Sequence, residues 1–259
     1  MSDDTLAVLA NRHWVDAYRR LIDDMGGEWR ELGAVHAFSA RIPLAFANGC
    51  LVLERAEAAD LEAAIEWLST SGLPYRVRID VTRNPHLLDV PSRHGLARDP
   101  DRMPGMVLQP IPEVPAPASG ISLVRVDHDS YDEFIDLLAD EGMPREWAVV
   151  SFPTRLVDDP ETAMFTARLD GVPVATSFAA RTGDSAGIYA VGTAEQARRR
   201  GAGTAVTWAA VGAARDWGCS AVVLQASELG YPVYLKMGFQ SVVDYARFEP
   251  PGAASESAT

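Results

Sequence analysis

The stretch 186–239 constrains the fold of this chain more than any other part of the sequence. Its apolar segments alternate or carry β-branched residues as strands do, and a long helical run lies between them. Its elements, in chain order, are a strand at 187–191, a turn rich in arginine and glycine at 198–204, a helix at 205–217, a strand at 221–225 and a short segment at 231–239. This order predicts a βαβ unit with a glycine-bearing turn at its first junction.

The turn at 198–204 breaks two local preferences. Arginines at the start of a helix face the positive end of the helix dipole, where carboxylates are preferred. Gly201 and Gly203 each cost about 1 kcal/mol of helix propensity relative to alanine. A bound anion would resolve both conflicts, because the first N–H groups of a helix bind phosphate oxygens and glycines let the backbone come close. The alternative is a basic surface turn with flexible glycines, and the turn by itself does not decide between the two.

Composition and cysteine usage indicate a globular protein. The chain has 259 residues, of which 47% are apolar and 23% charged, enough for one large domain or two of ordinary size. No apolar run reaches the roughly 18 residues of a membrane helix, and the acidic start at Asp3 and Asp4 differs from a signal peptide. Cys50 and Cys219 lack the spacing of a metal or redox motif, so we expect buried free thiols. The default expectation is a cytoplasmic protein without a membrane partner.

The net charge of −13 constrains the partners of the protein. Both halves of the chain are acidic, which argues against nucleic acid as the main partner. An acidic surface can steer a cationic substrate, but acidic surfaces mostly serve solubility, and both interpretations stay open.

A proline-rich stretch divides the sequence. Residues 110–119 carry four prolines and predict an extended linker. We therefore expect one domain over 1–109, a second over 120–249 and a disordered polar tail over 250–259. The elements predicted before the linker are helices at 3–24 and 58–70 and strands at 34–42, 49–53, 75–81 and 106–109.

The second domain has the predicted order β-α-α-β-β-β-α-β-α-β. Two helices are expected at 131–140 and 143–152, and the pair Glu141-Gly142 ends the first of them. The dipeptide Asp170-Gly171 predicts a tight two-residue hairpin. A final strand is expected at 241–248.

Two short motifs lie at matching places in this order of elements. The stretch 198–203 reads Arg-x-x-Gly-x-Gly and lies between a strand and a long helix, and the stretch 234–239 reads Tyr-x-x-x-Gly-Phe after the next strand. With these motifs, residues 120–249 resemble the GNAT superfamily of acyl-CoA N-acyltransferases, whose pyrophosphate loop is the first motif. The resemblance implies an α+β fold with a mixed sheet. Competing phosphate motifs are missing: there is no G-x-x-x-x-G-K-[ST], and the third glycine of the dinucleotide fingerprint is absent.

The resemblance also implies where an acyl-CoA would bind. In the family the two strands that flank the long helix, here 187–193 and 221–225, diverge, and the pantetheine arm lies between them. The main chain of the loop would hold the pyrophosphate, and Tyr234 corresponds to the general acid that protonates the departing thiolate. The alternatives are that Tyr234 is a packed aromatic residue and that Ser227 is a helix N-cap. The implied cofactor-binding residues are Val191, Thr193, Arg198, Arg199, Arg200, Gly201, Ala202, Gly203, Thr204 and Ser227.

The sequence does not decide which residues would bind and deprotonate the acceptor amine. The amine must lose a proton, and Glu146 or Glu228 could accept it, without a basis for choosing between them. Glu195 stands where many family members have a proline, either as a carboxylate at the edge of the site or as a solvated acid. Trp147 and Phe152 fall where the first helices of the family line the acceptor site, and core packing explains them equally well.

Residues 1–109 resemble a degenerate GNAT half. Helix 58–70, strand 75–81 and the pair Gly95-Leu96 repeat the ending of the second domain, but an acidic, glycine-free stretch at 56–60 stands in place of the loop. Such a stretch would repel pyrophosphate. The resemblance therefore implies a tandem arrangement with a cofactor-free first half, and the alternative is an unrelated α+β domain.

The resemblance implies an acetyl-CoA-dependent N-acetyltransferase that transfers the acetyl group directly to a primary amine of a small molecule, or to a protein amine. No metal is expected, because His36, His86 and His94 share no ligand spacing. Two alternatives differ in class: a non-catalytic acyl-CoA-binding or sensing module, and a scaffold whose first half binds a partner. A monomer or a homodimer is expected.

Overall fold

The computed structural model describes residues 2–251, which form two compact units. Of the described residues, unit 1 contains 2–106, the short segment Gln225–Pro232 and 241–251. Unit 2 contains Val107–Leu224 and Val233–Gln240. The predicted tail 250–259 lies, from residue 252 on, outside the described residues.

The described residues form eight α-helices and twelve strands. The helices are α1 (Asp3–Asp24), α2 (Ala58–Ser69), α3 (Val90–Arg93), α4 (Tyr131–Asp140), α5 (Arg145–Ser151), α6 (Arg155–Asp158), α7 (Ala202–Asp216) and α8 (Tyr231–Lys236). The strands are β1 (Glu28–Leu32), β2 (Val35–Ser39), β3 (Asn48–Val52), β4 (Arg76–Asp80), β5 (Ala97–Arg98), β6 (Met103–Leu108), β7 (Ile121–Arg125), β8 (Thr162–Leu169), β9 (Val172–Thr182), β10 (Ser185–Thr193), β11 (Ala221–Gln225) and β12 (Gln240–Glu249). The α+β fold with a mixed sheet is confirmed.

Unit 1 is a mixed sheet with the strand order β1-β2-β3-β4-β12-β6. Strands β1, β2 and β3 pair antiparallel, whereas β3 and β4 pair parallel across the crossover helix α2. Leu61 and Ile65 of α2 are buried against Val77, Ile79 and other residues of the sheet. Each such buried aliphatic side chain contributes about 1.5–3 kcal/mol, so this face of α2 anchors the crossover.

Strand β1 was not foreseen in the sequence. Its residues, Glu-Trp-Arg-Glu-Leu, are mostly charged, and the strand has the low burial of an edge. Charged residues are common on edge strands because they discourage pairing with a further chain. Arg30 of this strand lies over the ring of Trp67, 4.4 Å from its centroid, which compensates for the missing apolar alternation.

Unit 2 repeats the same succession. Strands β7, β8, β9 and β10 form an antiparallel meander, α7 crosses over, and β11 pairs parallel to β10. The hairpin between β8 and β9 is confirmed, and both central residues, Asp170 and Gly171, have positive φ, at 52° and 87°. Those angles are the ones a tight two-residue hairpin requires. Helix α7 packs on one face of this sheet, and α4 and α5 pack on the other.

Candidate active site

Strands β10 and β11 separate soon after they pair. Their parallel register runs from Ser185↔Ala221 to Gly187↔Val223, although β10 continues to Thr193. A bulge interrupts the pairing of β10 with β9 between Tyr189 and Gly192, and Ala190 there has φ 49°. Bulges bend a strand and increase its twist. Beyond Gly187 the main chain of β10 therefore faces an opening instead of a parallel neighbour.

The loop at 198–204 begins helix α7 with two residues in the left-handed region. Arg199 has φ 62° and Gly201 has φ 92°, and α7 starts at Ala202 without an acidic residue in its first turn. The first N–H groups of any helix lack partners within that helix. Left-handed residues in a turn can direct neighbouring N–H groups toward one concavity, which suits an anion. The geometry agrees with the anion interpretation of the turn.

Two contacts join this loop to the end of strand β10. A Cβ atom placed on Gly203 would lie 2.7 Å from the Thr193 hydroxyl, so a larger residue at 203 would force that hydroxyl to turn away. The Arg198 Nε donates to the Thr193 carbonyl at 3.3 Å. The structure thus brings Thr193, Arg198 and Gly203 together. Val191, Ala202 and Thr204 occupy the same strand end and helix start, and the cofactor role of the whole group stays a prediction.

The arginine side chains of the loop are exposed. Arg200 pairs with Asp170 of the hairpin turn at 3.2 Å. An exposed pair of this kind contributes about 0–1 kcal/mol, so it holds Arg200 only weakly. The basic groups of the loop are free to turn toward a ligand at little energetic cost.

Tyr234 is buried in α8, only 8% exposed. Its ring lies 5.8 Å from that of Phe239, and burial raises the pKa of its phenol to about 12. The motif at 234–239 also ends the helix: the Phe239 N–H donates to the Tyr234 carbonyl, the Gly238 N–H donates to the Leu235 carbonyl, and Gly238 has φ 97°. This is a Schellman cap with its usual apolar contact. The tyrosine is therefore both a packed aromatic residue and a protonated O–H donor near neutral pH.

Ser227 makes a local contact at the start of this segment. Its hydroxyl accepts a hydrogen bond from the Gly230 N–H at 3.2 Å, and its carbonyl accepts one from the Tyr231 N–H. These bonds support the capping interpretation of Ser227. Its contribution to a cofactor site stays a prediction.

The structure adds a carboxylate that was not anticipated as a site residue. Glu141 lies against Gly192 so closely that a Cβ atom at 192 would overlap its carboxylate. The other candidates, Glu146, Glu195 and Glu228, are exposed. Sequence inspection treated Glu141 only as the end of a helix, because no local pattern connects it with strand β10.

Phe152 belongs to the core of unit 2. Its ring makes edge contacts with Phe134 at 5.7 Å and with Phe178 at 5.4 Å, and its carbonyl accepts a hydrogen bond from the Tyr131 hydroxyl. Trp147 is half-buried on α5. Of the two interpretations of Phe152, the contacts support core packing.

The corresponding place in unit 1 is closed. Strand β3 stays paired with β4 up to Val52↔Ile79. Just beyond, the Asn84 side chain accepts from the Ala56 N–H at 3.0 Å and donates to the carbonyls of Val52 and Glu54. One N–H that could face a phosphate there, that of Ala56, is thus occupied by a buried asparagine.

The two cysteine thiols are not reactive nucleophiles. Burial raises the pKa of Cys50 to about 12 and also raises the pKa of Cys219. A thiol with a raised pKa carries little thiolate near neutral pH and is a poor nucleophile. Among the described residues, no group of three or more His, Cys, Asp or Glu side chains is arranged to hold a metal ion. None of the helices in the described part of the chain is long and apolar enough to cross a membrane.

The sequence profile of the family described as "Acetyltransferase (GNAT) family" matches residues 124–239. The diverging strands, the glycine loop at the start of α7 and the motif at 234–239 all fall inside this match. Residues 124–239 therefore carry the sequence pattern of a GNAT acetyltransferase domain. The family resemblance inferred from the two motifs is confirmed. No curated protein matches the chain.

Solved structures agree over nearly the whole chain. A GCN5-related N-acetyltransferase from Kribbella flavida is similar with a TM-score of 0.72 and 19% identity, covering 95% of this chain and 97% of that one. A GCN5-related N-acetyltransferase from Sphaerobacter thermophilus has a TM-score of 0.65 and 17% identity, covering 86% and 79%. A tandem GNAT protein from the clavulanic acid biosynthesis pathway has a TM-score of 0.57 and 14% identity, covering 85% and 84%. At such low sequence identities, the similarity to these three structures shows a shared fold only.

Proposed function

We propose that this protein is an acetyl-CoA-dependent N-acetyltransferase that transfers the acetyl group directly to a primary amine of a small molecule. An amine of a protein is the alternative acceptor. The observation that carries the proposal is the opening between β10 and β11, with the loop at 198–204 at its end. An extended pantetheine arm would lie beside β10 and bond to its main chain, as a further strand does.

The loop at the start of α7 supports binding of the pyrophosphate. Its first N–H groups and the positive end of the helix dipole favour an anion, and the Arg198–Arg200 side chains add charge. Gly203 allows the approach to Thr193 that brings strand end and loop together. No metal is needed for such a site, because the backbone and the arginines neutralise the phosphates.

The chemistry is a direct displacement. The amine nitrogen bonds to the thioester carbon, the C–S bond breaks, and main-chain N–H groups near Thr193 polarise the carbonyl oxygen. Tyr234, protonated because burial raises its pKa to about 12, donates a proton to the departing sulfur. Both cysteines have raised pKa values, so an acetylated cysteine intermediate is not part of the proposal.

We assign unit 1 the role of a degenerate GNAT-like half without cofactor. The strand succession β2, β3, α2, β4 supports this, since it is the succession of β9, β10, α7, β11 in unit 2. Asn84 and the acidic start of α2 argue against an anion there. The limits inferred from the sequence, 1–109 and 120–249 around a linker, are part of this proposal.

The net charge of −13 supports a small amine, in its cationic form, as acceptor, and disfavours nucleic acid. A cytoplasmic monomer or homodimer is proposed with it. The alternative, a non-catalytic acyl-CoA sensor, is favoured by one observation: Tyr234 has a structural role in the Schellman cap.

Two measurements test the proposal. Calorimetry with acetyl-CoA should show binding, and a screen of primary amines with detection of free thiol should show turnover. Binding without turnover of any amine, together with unchanged binding in Tyr234→Phe, would support the sensor. Absence of acetyl-CoA binding would contradict both the acetyltransferase and the acyl-CoA sensor.

A further inference from the structure

Glu141 lies at the opened part of strand β10, where the sequence suggested no functional carboxylate. Its backbone is fixed at the end of α4, since its N–H donates to the Leu137 carbonyl at 3.2 Å. Its side chain covers Gly192, within the bulged segment that has already separated from β11. A carboxylate is thus held beside the main chain that, in the proposed function, polarises the thioester.

Gly192 has a specific reason to lack a side chain. It is buried, and any Cβ atom there would overlap the Glu141 carboxylate. The glycine therefore makes room for the carboxylate, and the two positions form one feature although they lie far apart in the sequence.

The surroundings of Glu141 strengthen its electrostatic effect. One carboxylate oxygen, Oε1, is buried, and the neighbouring cluster of unit 2 is apolar, with Met143, Tyr189 and Ala190 packed at its margin. The attraction between opposite charges rises as the local dielectric falls. A cation that reaches this carboxylate is therefore held more strongly than one at the exposed Glu146.

A primary alkylamine needs such a group. Its pKa is near that of lysine, about 10.4, so it arrives as an ammonium ion that cannot attack a carbonyl. Resting on the proposed function, we propose that Glu141 binds the ammonium group of the acceptor and takes its proton as the nitrogen attacks. The ammonium group gives one proton to Glu141, the nitrogen bonds to the thioester carbon, and the C–S bond breaks as the Tyr234 proton passes to sulfur. The amide nitrogen loses its second proton to water, Glu141 releases its proton to water, and Tyr234 takes one proton back, so that one proton is released per turnover.

The assignment narrows the acceptor to a cationic primary alkylamine. It also separates Glu141 from the other acids, because Glu146 and Glu228 are exposed and Glu195 is an exposed loop residue. Glu146 is a matched control, since it is a glutamate of the following helix, α5.

The test compares wild type, Glu141→Gln and Glu146→Gln, each saturated with CoA, in NMR titrations. The probes are n-butylamine, phenethylamine and spermidine, each beside the corresponding neutral alcohol. We expect the wild type and Glu146→Gln to prefer the amines, and Glu141→Gln to lose this preference at least about tenfold, which is the size of one charge-assisted contact. Equal preference in wild type and Glu141→Gln, or no preference in the wild type, would overturn the inference.

Kinetics separate binding from proton transfer. With the amine that the wild type acetylates best, the kcat of Glu141→Gln should be roughly 10²–10⁴ times lower than that of the wild type. The decline of kcat at low pH that accompanies protonation of the carboxylate should be absent in this variant, and its acetyl-CoA affinity should be unchanged. With hydroxylamine, which is uncharged near neutral pH, the kcat of Glu141→Gln should fall less. If the wild type binds acetyl-CoA but acetylates no amine, the proposed function falls, while a lost amine preference in Glu141→Gln would still support the cation site.

Discussion

Replacing Gly203 by alanine tests the proposed cofactor loop, because the change should weaken acetyl-CoA binding while leaving stability nearly unchanged. The added Cβ would lie 2.7 Å from the Thr193 hydroxyl, closer than non-bonded atoms approach. The hydroxyl sits on a rotatable bond and can turn away, so the helix itself need not move. The Cβ then stands between the strand end and the first turn of α7, where the pyrophosphate is proposed to bind.

The expected magnitudes follow from this geometry. Alanine in a helix is favoured over glycine by about 1 kcal/mol, and turning the Thr193 hydroxyl offsets about 0.5–1.5 kcal/mol of it, so the free energy of unfolding should change little. Acetyl-CoA affinity should fall at least about tenfold, or about 1.4 kcal/mol, because a phosphate can no longer approach the backbone.

The control is Gly212→Ala in the same helix. A Cβ at Gly212 would lie 3.6 Å from Val114 Cγ2, an ordinary contact, so this variant should be stabilised by about 1 kcal/mol, or about 2–4 °C in Tm. Thermal unfolding and calorimetry with acetyl-CoA measure both quantities. If Gly203→Ala binds acetyl-CoA as well as Gly212→Ala does, the reasoning about the loop is refuted.

Three further predictions concern single residues. Tyr234→Phe should lower kcat by roughly 10²–10⁴ in the thiol-release assay while calorimetry shows the same acetyl-CoA affinity; an unchanged kcat would speak against proton donation. Burial lowers the pKa of His13 to about 4, so the folded state binds fewer protons than the unfolded one between about pH 4 and 6.5. Stability should therefore fall by about 3 kcal/mol as pH drops through this window, and urea unfolding of His13→Gln should show a shallower fall; equal curves would contradict this. Asn84→Ala removes three hydrogen bonds, two of them buried, and should lower the free energy of urea unfolding by about 2–4 kcal/mol without changing acetyl-CoA affinity; a loss below about 0.5 kcal/mol would mean that water replaces the amide.

Local features were predictable where a few neighbouring residues decide the structure. Helices α1 and α4 were expected with the bounds they have, and the Asp170-Gly171 hairpin followed from the need for two residues with positive φ. The motif at 234–239 was recognised as a family segment, but its role as a Schellman cap required the coordinates. Strand β1 was missed because charged edge residues hide the alternation that identifies a strand.

The sequence alone indicated the family of residues 120–249, since the motifs at 198–203 and 234–239 are short-range patterns that, in this order of elements, point together to one family. The family resemblance implied that the strands flanking the long helix diverge, but the sequence could not give the point at which β10 and β11 part, after Gly187, because that point depends on a bulge and on packing against distant elements. Nor could it bring Glu141 to Gly192 or Asn84 to Ala56, contacts between residues far apart in the chain. Such contacts depend on how whole elements pack, which periodicity and turn chemistry do not encode. The tertiary structure therefore decided at which residue β10 and β11 separate and which carboxylate lies beside the separated part of β10.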